Sequence, residues 1–325
     1  MRILVTGGAG YIGAHIVRLL KQRGDHVVVV DDLSTGEIDR LEGSAVERIE
    51  LQTDEATARL ESILREQRIE SVIHLAARKQ VAESVERPAW YFRQNIGGLA
   101  NLLMAMESAH TGILVFSSSA AVYGATEGTA ISESEPTSPI NPYGETKLVG
   151  ESLVSAASRS FGLTASSLRY FNVAGAGWPD LGDHVGLNLL PMVFDRIDAG
   201  EAPAIFGDDY PTPDGTCVRD YVHVLDLAEA HIATLDRLAT GMSGHSVFNV
   251  GTGRGTSVRQ MVDAISHVSG SSLDPRIVGR RPGDPAVVVA SPRRLTEITG
   301  WAARRSLVDI VRSAWDARAT TVRSD

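Results

Sequence analysis

Lysine is scarce in this 325-residue chain, three residues against 28 arginines, yet one of the three, Lys147, stands four residues after Tyr143 in Asn141-Pro142-Tyr143-Gly144-Glu145-Thr146-Lys147. Asn141 suits a helix N-cap and Pro142 the first helical position, so the two side chains fall on one helix face, one turn apart. A tyrosine hydroxyl ordinarily titrates at about pH 10. An ammonium one turn away, joined by the positive charge of an oxidised redox cofactor, favours the phenolate and is expected to lower that value. Tyr143 could then take a proton from a substrate hydroxyl while hydride leaves the same carbon. Ser119 closes the run Ile113-Leu114-Val115-Phe116-Ser117-Ser118-Ser119, at the carboxyl edge of a sheet where ligands bind, and its hydroxyl could hold the reacting oxygen. Ser119, Tyr143 and Lys147 are the candidate catalytic residues. Singly they read as a strand-ending serine, a buried phenol and a solvated amine; the N-terminus argues against that.

There, Thr6-Gly7-Gly8-Ala9-Gly10-Tyr11-Ile12-Gly13 follows the apolar run Ile3-Leu4-Val5 and precedes a helical pattern of Ile16, Val17, Leu19 and Leu20. Strand, glycine turn and helix are the context of a dinucleotide fingerprint. Gly7 permits the tight turn, Gly10 lets backbone N–H groups approach a pyrophosphate at the positive helix end, and Gly13 lets the helix lie close to the strand. The second strand, Val27-Val28-Val29-Val30, ends in Asp31, eighteen residues after Gly13, and no arginine follows until Arg40. A carboxylate there suits a free ribose 2′-hydroxyl and repels a 2′-phosphate, which favours NAD over NADP.

Strand-like runs near 2–6, 26–31, 47–52, 71–75, 112–117 and 163–170 alternate with helical segments. That alternation predicts an α/β fold with a doubly wound parallel sheet of the Rossmann type. The helix from Pro142 is expected to continue toward Ser160. After Phe171 glycine, proline and aspartate become frequent, over 172–220 and again over 270–292, as in a smaller, loop-rich α+β substrate lobe. Residues 1–171 are thus expected to form the NAD domain, with segments near 220–250 (a helix over Asp220–Leu238, a strand over Val247–Val250) returning to it, and 172–325 mainly the substrate lobe.

Net charge is −9 with dispersed arginines, so a basic stripe for nucleic acid or an anionic membrane is not expected. The single Cys217 makes no internal disulfide or redox pair, and the nine histidines form no close pair with an acid, so no metal site is expected. No apolar run approaches the roughly 18 residues of a membrane span, and no leader precedes the first strand. The expectation is a soluble cytoplasmic protein.

With these motifs, His74-Leu75-Ala76-Ala77-Arg78-Lys79, Phe116-Ser117-Ser118-Ser119-Ala120-Ala121-Val122-Tyr123-Gly124, Leu168-Arg169-Tyr170-Phe171-Asn172 and the long block Ile205 to Tyr221 (Ile-Phe-Gly-Asp-Asp-Tyr-Pro-Thr-Pro-Asp-Gly-Thr-Cys-Val-Arg-Asp-Tyr) carry a further likeness. Over nearly its whole length the chain resembles the extended short-chain dehydrogenase/reductase superfamily, and within it the UDP-glucose (UDP-galactose) 4-epimerases. The resemblance implies oxidation at sugar carbon 4, turning of the 4-keto sugar while UDP stays clamped, and reduction on the other face, with NAD retained. It implies NAD contacts from Gly7, Gly10, Tyr11, Ile12, Gly13, Asp31, Asp32, Leu33, Leu75, Ala76, Ala77, Lys79, Asn95, Ser119, Tyr143, Lys147 and Phe171. It implies a UDP-sugar site of Ser119, Tyr143, Asn172, Asn188, Leu189, Ala204, Ile205, Phe206, Arg219, Arg281, Asp284 and Val288, with Arg219 and Arg281 facing the diphosphate as planar multi-donor cations. Arg280 is expected to be solvated. A homodimer is also implied, the helix after Pro88 and the Tyr143 helix packing on their copies.

Some positions depart from that pattern. The family's Gly-Asp after the third strand is replaced around Gln52-Thr53-Asp54, where Asp54 would meet the adenine if the loop shifts by one residue. Asp32 stands where Asn is common, and Ala121 where Thr is. The segment Ala176 to Gly186 is unusual and could alter the sugar pocket. Val288, four after Asp284, replaces a bulky tyrosine that restricts some members to sugars without an N-acetyl group. A nucleotide-sugar 4,6-dehydratase would need an Asp-Glu pair where Ala120 and Ala121 stand. A non-catalytic NAD-sensing or scaffold protein would need neither the Tyr143-Lys147-Ser119 group nor a diphosphate clamp.

Overall fold

The computed structural model describes residues 1–125, 130–183, 188–281 and 283–321, with side chains described as far as 318. The strands are β1 Arg2–Thr6, β2 His26–Asp31, β3 Val46–Arg48, β4 Ser71–His74, β5 Ile113–Ser119, β6 Thr164–Tyr170, β7 Asn172–Ala174, β8 Ala204–Phe206, β9 Val218–Arg219, β10 Tyr221–His223, β11 His245–Val250, β12 Thr256–Ser257, β13 Arg276–Val278 and β14 Val287–Val288. The helices are α1 Tyr11–Gln22, α2 Ala56–Glu66, α3 Val81–Glu86, α4 Pro88–Phe92, α5 Gly98–Ala109, α6 Pro142–Phe161, α7 Leu189–Asp198, α8 Val224–Ala239, α9 Val258–Ser269, α10 Arg293–Thr299 and α11 Leu307–Thr321.

Seven strands pair in parallel in the order β11-β6-β5-β4-β1-β2-β3. Alternate residues leave opposite faces of a strand, and here both sets are apolar, so both faces must be covered. Ile3, Val5, Val29, Ile73, Val115 and Leu168 enter one core with α1 and α8, whereas Leu4, Val30, Val72, Leu114 and Ala165 enter a second with α2 and α5. This is the doubly wound sheet that the alternation predicts. β1 has β2 on one side and β4 on the other, so the chain reverses direction there and a ligand crevice opens at the carboxyl ends.

The segments expected to return do so. β11 pairs with β6 from His245↔Ala165 to Val250↔Tyr170, and α8 lies against α1 and β5. β3 is shorter than the 47–52 run: after Ile49 N bonds Asp31 O, the chain turns, with Thr53 Oγ1 and N both donating to Glu50 O. Beyond β6, short sheets pair β10 with β7, β13 with β8, and β9 with β12 and β14. A third apolar cluster, including Leu190, Phe194, Met261, Ile265 and Val311, packs α7, α9 and α11 together. Of the unusual 176–186 segment, residues 184–186 lie outside the described residues. Its earlier part packs on α1: Arg18 pairs with Asp180 at 2.9 Å and sits 4.9 Å over the Trp178 ring.

Candidate active site

Gly7 adopts φ +72°, and a Cβ there would stand 2.7 Å from Ala76 N in the loop after β4. At Gly13 a Cβ would meet Gly7 O at 2.1 Å, so this residue lets α1 sit on the turn. Gly10 differs, because a Cβ there would meet only Gly7 O, at 3.4 Å. Its bareness leaves room on the open side. Gly10 is also the N-cap of α1, has no side-chain cap and is followed by no acid in the first turn, so the first-turn N–H groups are left for an anion. Asp31 Oδ2 accepts from Ala9 N at 3.0 Å and Oδ1 from Leu33 N at 2.9 Å, fixing the loop that the carboxylate would share with a ribose. Burial pushes Asp31 up against those two bonds. The residues present therefore fit a dinucleotide.

Sequence distance hid one arginine beside Asp32. Arg78, from the loop after β4, donates Nη2 to Asp32 Oδ2 at 2.6 Å and also reaches Ser34 Oγ. Burial pushes Asp32 up, but Ser34 and Arg78 outweigh it and hold the carboxyl below its usual range. Asn95 is a tie-beam: its Oδ1 accepts from Arg78 N and its Nδ2 donates to Thr146 Oγ1 at 3.0 Å, linking that loop to α6.

α6 is capped as expected, Asn141 Oδ1 accepting from Gly144 N at 2.9 Å with Pro142 at its first position. Gly144 and Gly150 bring it against the sheet; a Cβ at Gly150 would stand 2.6 Å from Phe116 Cζ, and one at Gly144 2.7 Å from Ala121 O. That approach sets Tyr143 and Lys147 beside Ser119. Lys147 Nζ donates to Ser117 O at 2.8 Å and lies 5.9 Å from the Tyr143 ring centre. Among the protein's own groups burial pushes the Tyr143 hydroxyl up, with the Ser119 hydroxyl opposing, so the expected lowering would have to come with the charge of a bound nicotinamide. Lys147 itself is driven down to about 8 by burial, against the pull of Glu151.

One residue group escaped the sequence reading. Glu151, one turn beyond Lys147, accepts from Arg169 Nε at 2.8 Å and Nη2 at 2.6 Å and from Ser118 Oγ at 2.5 Å, locking α6 to β5 and β6. The i, i+4, i+8 spacing of 143, 147 and 151 was its available signal.

A cavity of about 1610 Å³ runs over these parts. Its wall includes Gly7, Gly10, Tyr11, Ile12, Gly13, Asp31, Asp32, Leu75, Ala76, Ala77, Lys79, Asn95, Ser119, Tyr143, Lys147 and Phe171 toward the glycine loop. It continues over Asn172, Asn188, Leu189, Arg219, Arg281, Asp284 and Val288. Arg219 Nη2 donates to Asp284 Oδ1 at 2.6 Å, and the β14–β9 register sets Val288 opposite Arg219. Five expected residues are off the wall. Asp54 is exposed on the turn after β3 while Gln52 takes the wall, because β3 ends at Arg48 and the chain turns over residues 50–53. Leu33 is turned away with φ 59°. Ala204 and Ile205 are held in β8, Ile205 fully in the interior, and Phe206 lies beneath Arg281, whose guanidinium is 3.9 Å over its ring. Arg280 is not simply solvated: it bonds Asp209 at 2.7 Å and sits 4.1 Å over the Tyr210 ring.

A family model described as "Epimerase: NAD dependent epimerase/dehydratase family" matches residues 3–251, from β1 through the last strand of the large sheet. The chain belongs to this family. It is 43% identical over 318 residues to a UDP-glucose 4-epimerase of Azospirillum brasilense, covering 96% of this chain and 90% of that one. A UDP-glucose 4-epimerase of Stenotrophomonas maltophila, solved with bound NAD and formylated UDP-arabinopyranose, superposes with a TM-score of 0.94 at 38% identity, covering both chains completely. The UDP-Glc/GlcNAc 4-epimerase of Campylobacter jejuni gives 0.85 at 34% identity, over 98% of this chain and 99% of that one. This family member joins a glycine cradle to a Tyr-Lys pair. No helix among the described residues is long and apolar enough to cross a membrane, and no group of three metal-ligating side chains occurs among them.

Proposed function

We propose that this chain is an NAD-dependent UDP-glucose 4-epimerase, interconverting UDP-galactose and UDP-glucose. The observation that carries the reading is one continuous cavity joining the glycine cradle, the Tyr143-Lys147-Ser119 group and the Arg219, Arg281 and Asp284 cluster. Its volume exceeds the roughly 300–1,000 Å³ of an ordinary ligand pocket, as two ligands end to end require. Bound NAD supplies a reversible hydride acceptor for sugar carbon 4. Tyr143 takes and returns the hydroxyl proton, Ser119 orients the oxygen, and Lys147, held by Ser117 O, keeps positive charge under the pair. Arg219 exchanges its Asp284 partner for the substrate diphosphate, while Arg281 is presented edge-out by Phe206. Ala120 and Ala121 leave no acid–base pair for eliminating water, which argues against a dehydratase. Residues 1–171 with the returning 220–250 segments would serve NAD, and 172–325 mainly the UDP-sugar.

Val288 supports a wider substrate range: a small, half-buried side chain on the cavity wall leaves room for an N-acetyl group. The test is conversion of UDP-galactose to UDP-glucose without added reductant, beside Tyr143→Phe. Activity should fall by at least about a hundredfold in the variant, the usual weight of a positioned acid–base group. Absent conversion by an NAD-loaded wild type would reject the reading, and brisk UDP-galactose turnover without UDP-N-acetylgalactosamine turnover would reject the wider range.

A further inference from the structure

One ion pair joins the loops that leave β2 and β4. Arg78, in the loop past β4, donates Nη2 to Asp32 Oδ2 at 2.6 Å and also reaches Ser34 Oγ, both in the loop past β2. These loops are not neighbours in the sheet. Strand β1 lies between β2 and β4, and the strands on either side of it stand roughly 10 Å apart. The bond therefore crosses the carboxyl end of β1, where the glycine turn begins and where the loop past β4 already leans on Gly7.

Both ends of this bridge are held in place. Asp32 Oδ1 accepts from Ser34 N at 2.9 Å and from Ser34 Oγ at 2.6 Å, which leaves Oδ2 for the guanidinium. Arg78 is fixed at its backbone by Asn95 Oδ1 at 2.8 Å, at Nε by Gln94 Oε1 at 3.3 Å, and on its face by the Trp90 ring at 5.4 Å. Asp32, Ser34, Arg78, Trp90 and Gln94 all line the cavity, and Asp31, the acid suited to a ribose, stands next to Asp32 on the same wall. The Arg78 and Asp32 side chains are 21% and 23% exposed, so water screens the pair only in part. An ordinary surface pair joins adjacent elements; this one spans a crevice.

We propose that the Asp32–Arg78 bond is a strap across the cofactor crevice, closed over the dinucleotide and broken each time the cofactor leaves. Arg78 acts here through Asp32, as a positioning residue that retains the cofactor. The strap rests on the dinucleotide reading, and the test separates the two. Bound NAD in the purified holoenzyme is exchanged against radiolabelled NAD for wild type, Arg78→Met, Asp32→Asn and the double variant, at low and high salt. Arg78→Met keeps the stem and loses the donors; Asp32→Asn turns the accepting Oδ2 into a donor. Each should exchange about threefold to thirtyfold faster than wild type, the weight of a partly screened charge-assisted bond. The double variant should exchange no faster than the quicker single one, because both changes break the same bond. Salt should accelerate wild type more than any variant. Arg78→Lys, which keeps the charge and loses the fork, should fall between wild type and Arg78→Met. Wild-type exchange in Arg78→Met would overturn the strap. So would multiplied effects in the double variant, which would make the two residues separate contacts. A wild-type protein that neither contains nor takes up NAD would instead sink the dinucleotide reading, and the strap with it.

Discussion

Lys147 carries two opposing demands. Its amine is buried, which drives its titration down to about 8, yet it sits beside the tyrosine to which we assign the proton transfer. Below about pH 8 folded and unfolded chains both hold that proton, and burial of the ammonium weakens the fold in full. Between there and the unfolded value of about 10.4 the unfolded chain binds more protons, so this group's contribution to stability rises with pH. Chemical denaturation should therefore show wild type gaining on Lys147→Met between about pH 8 and 10; a flat or falling difference would contradict the burial. At this scale Tyr143, Ser119, Lys147 and the three glycines were legible because each has a fixed chemical or conformational job at fixed spacing. The direction of the Tyr143 shift was not, because burial and the Lys147–Ser117 bond depend on how α6 lies on β5. Asp54 misled for a related reason: one early turn after β3 sends it into solvent.

The elements were legible where periodicity was strong. β1, β2, β6 and α6 match their apolar patterns and caps, and the returning strand lies where expected, whereas the returning helix begins at Val224 and not Asp220 because Tyr221–His223 form β10 beside β7. What holds α6 in place was hidden, since Glu151 and Arg169 are eighteen residues apart and meet only across the β6–α6 packing. With side chains only 6% and 7% exposed, this pair fixes the height of Tyr143 against the sheet. Removing one partner of such a pair leaves a buried charge, so Arg169→Met is expected to cost about 3–5 kcal/mol. Turnover should fall more than substrate affinity, because Tyr143 moves while the Arg219–Asp284 cluster does not. Unchanged stability with full turnover would show the lock to be incidental.

The whole molecule joins a cofactor cradle at the switch between β1 and β4 to an arginine-lined wall from the later, loop-rich chain. The parallel fold followed from strand alternation. The small sheets that place Arg219 and Val288 did not, because strands of two or three residues have no readable period. We propose a homodimer through the helical stretch that runs from Pro88 through α5, and α6, whose outward faces leave Met104 48% and Val149 41% exposed beside the site-bearing helix. Met104→Glu should then yield a monomer in sedimentation, and a wild type that already sediments as a monomer would reject the interface.

The central claim is that one cofactor, kept in place, takes a hydride from sugar carbon 4 and gives it back. The most direct measurement is UDP-galactose deuterated at carbon 4, incubated with the purified protein in ordinary water with no added cofactor. The account predicts equilibration with UDP-glucose, the deuterium retained at carbon 4 of both sugars, and little conversion in Tyr143→Phe, whose label stays on unreacted UDP-galactose. Conversion with the label washed into solvent, or no conversion by protein that holds NAD, would contradict it.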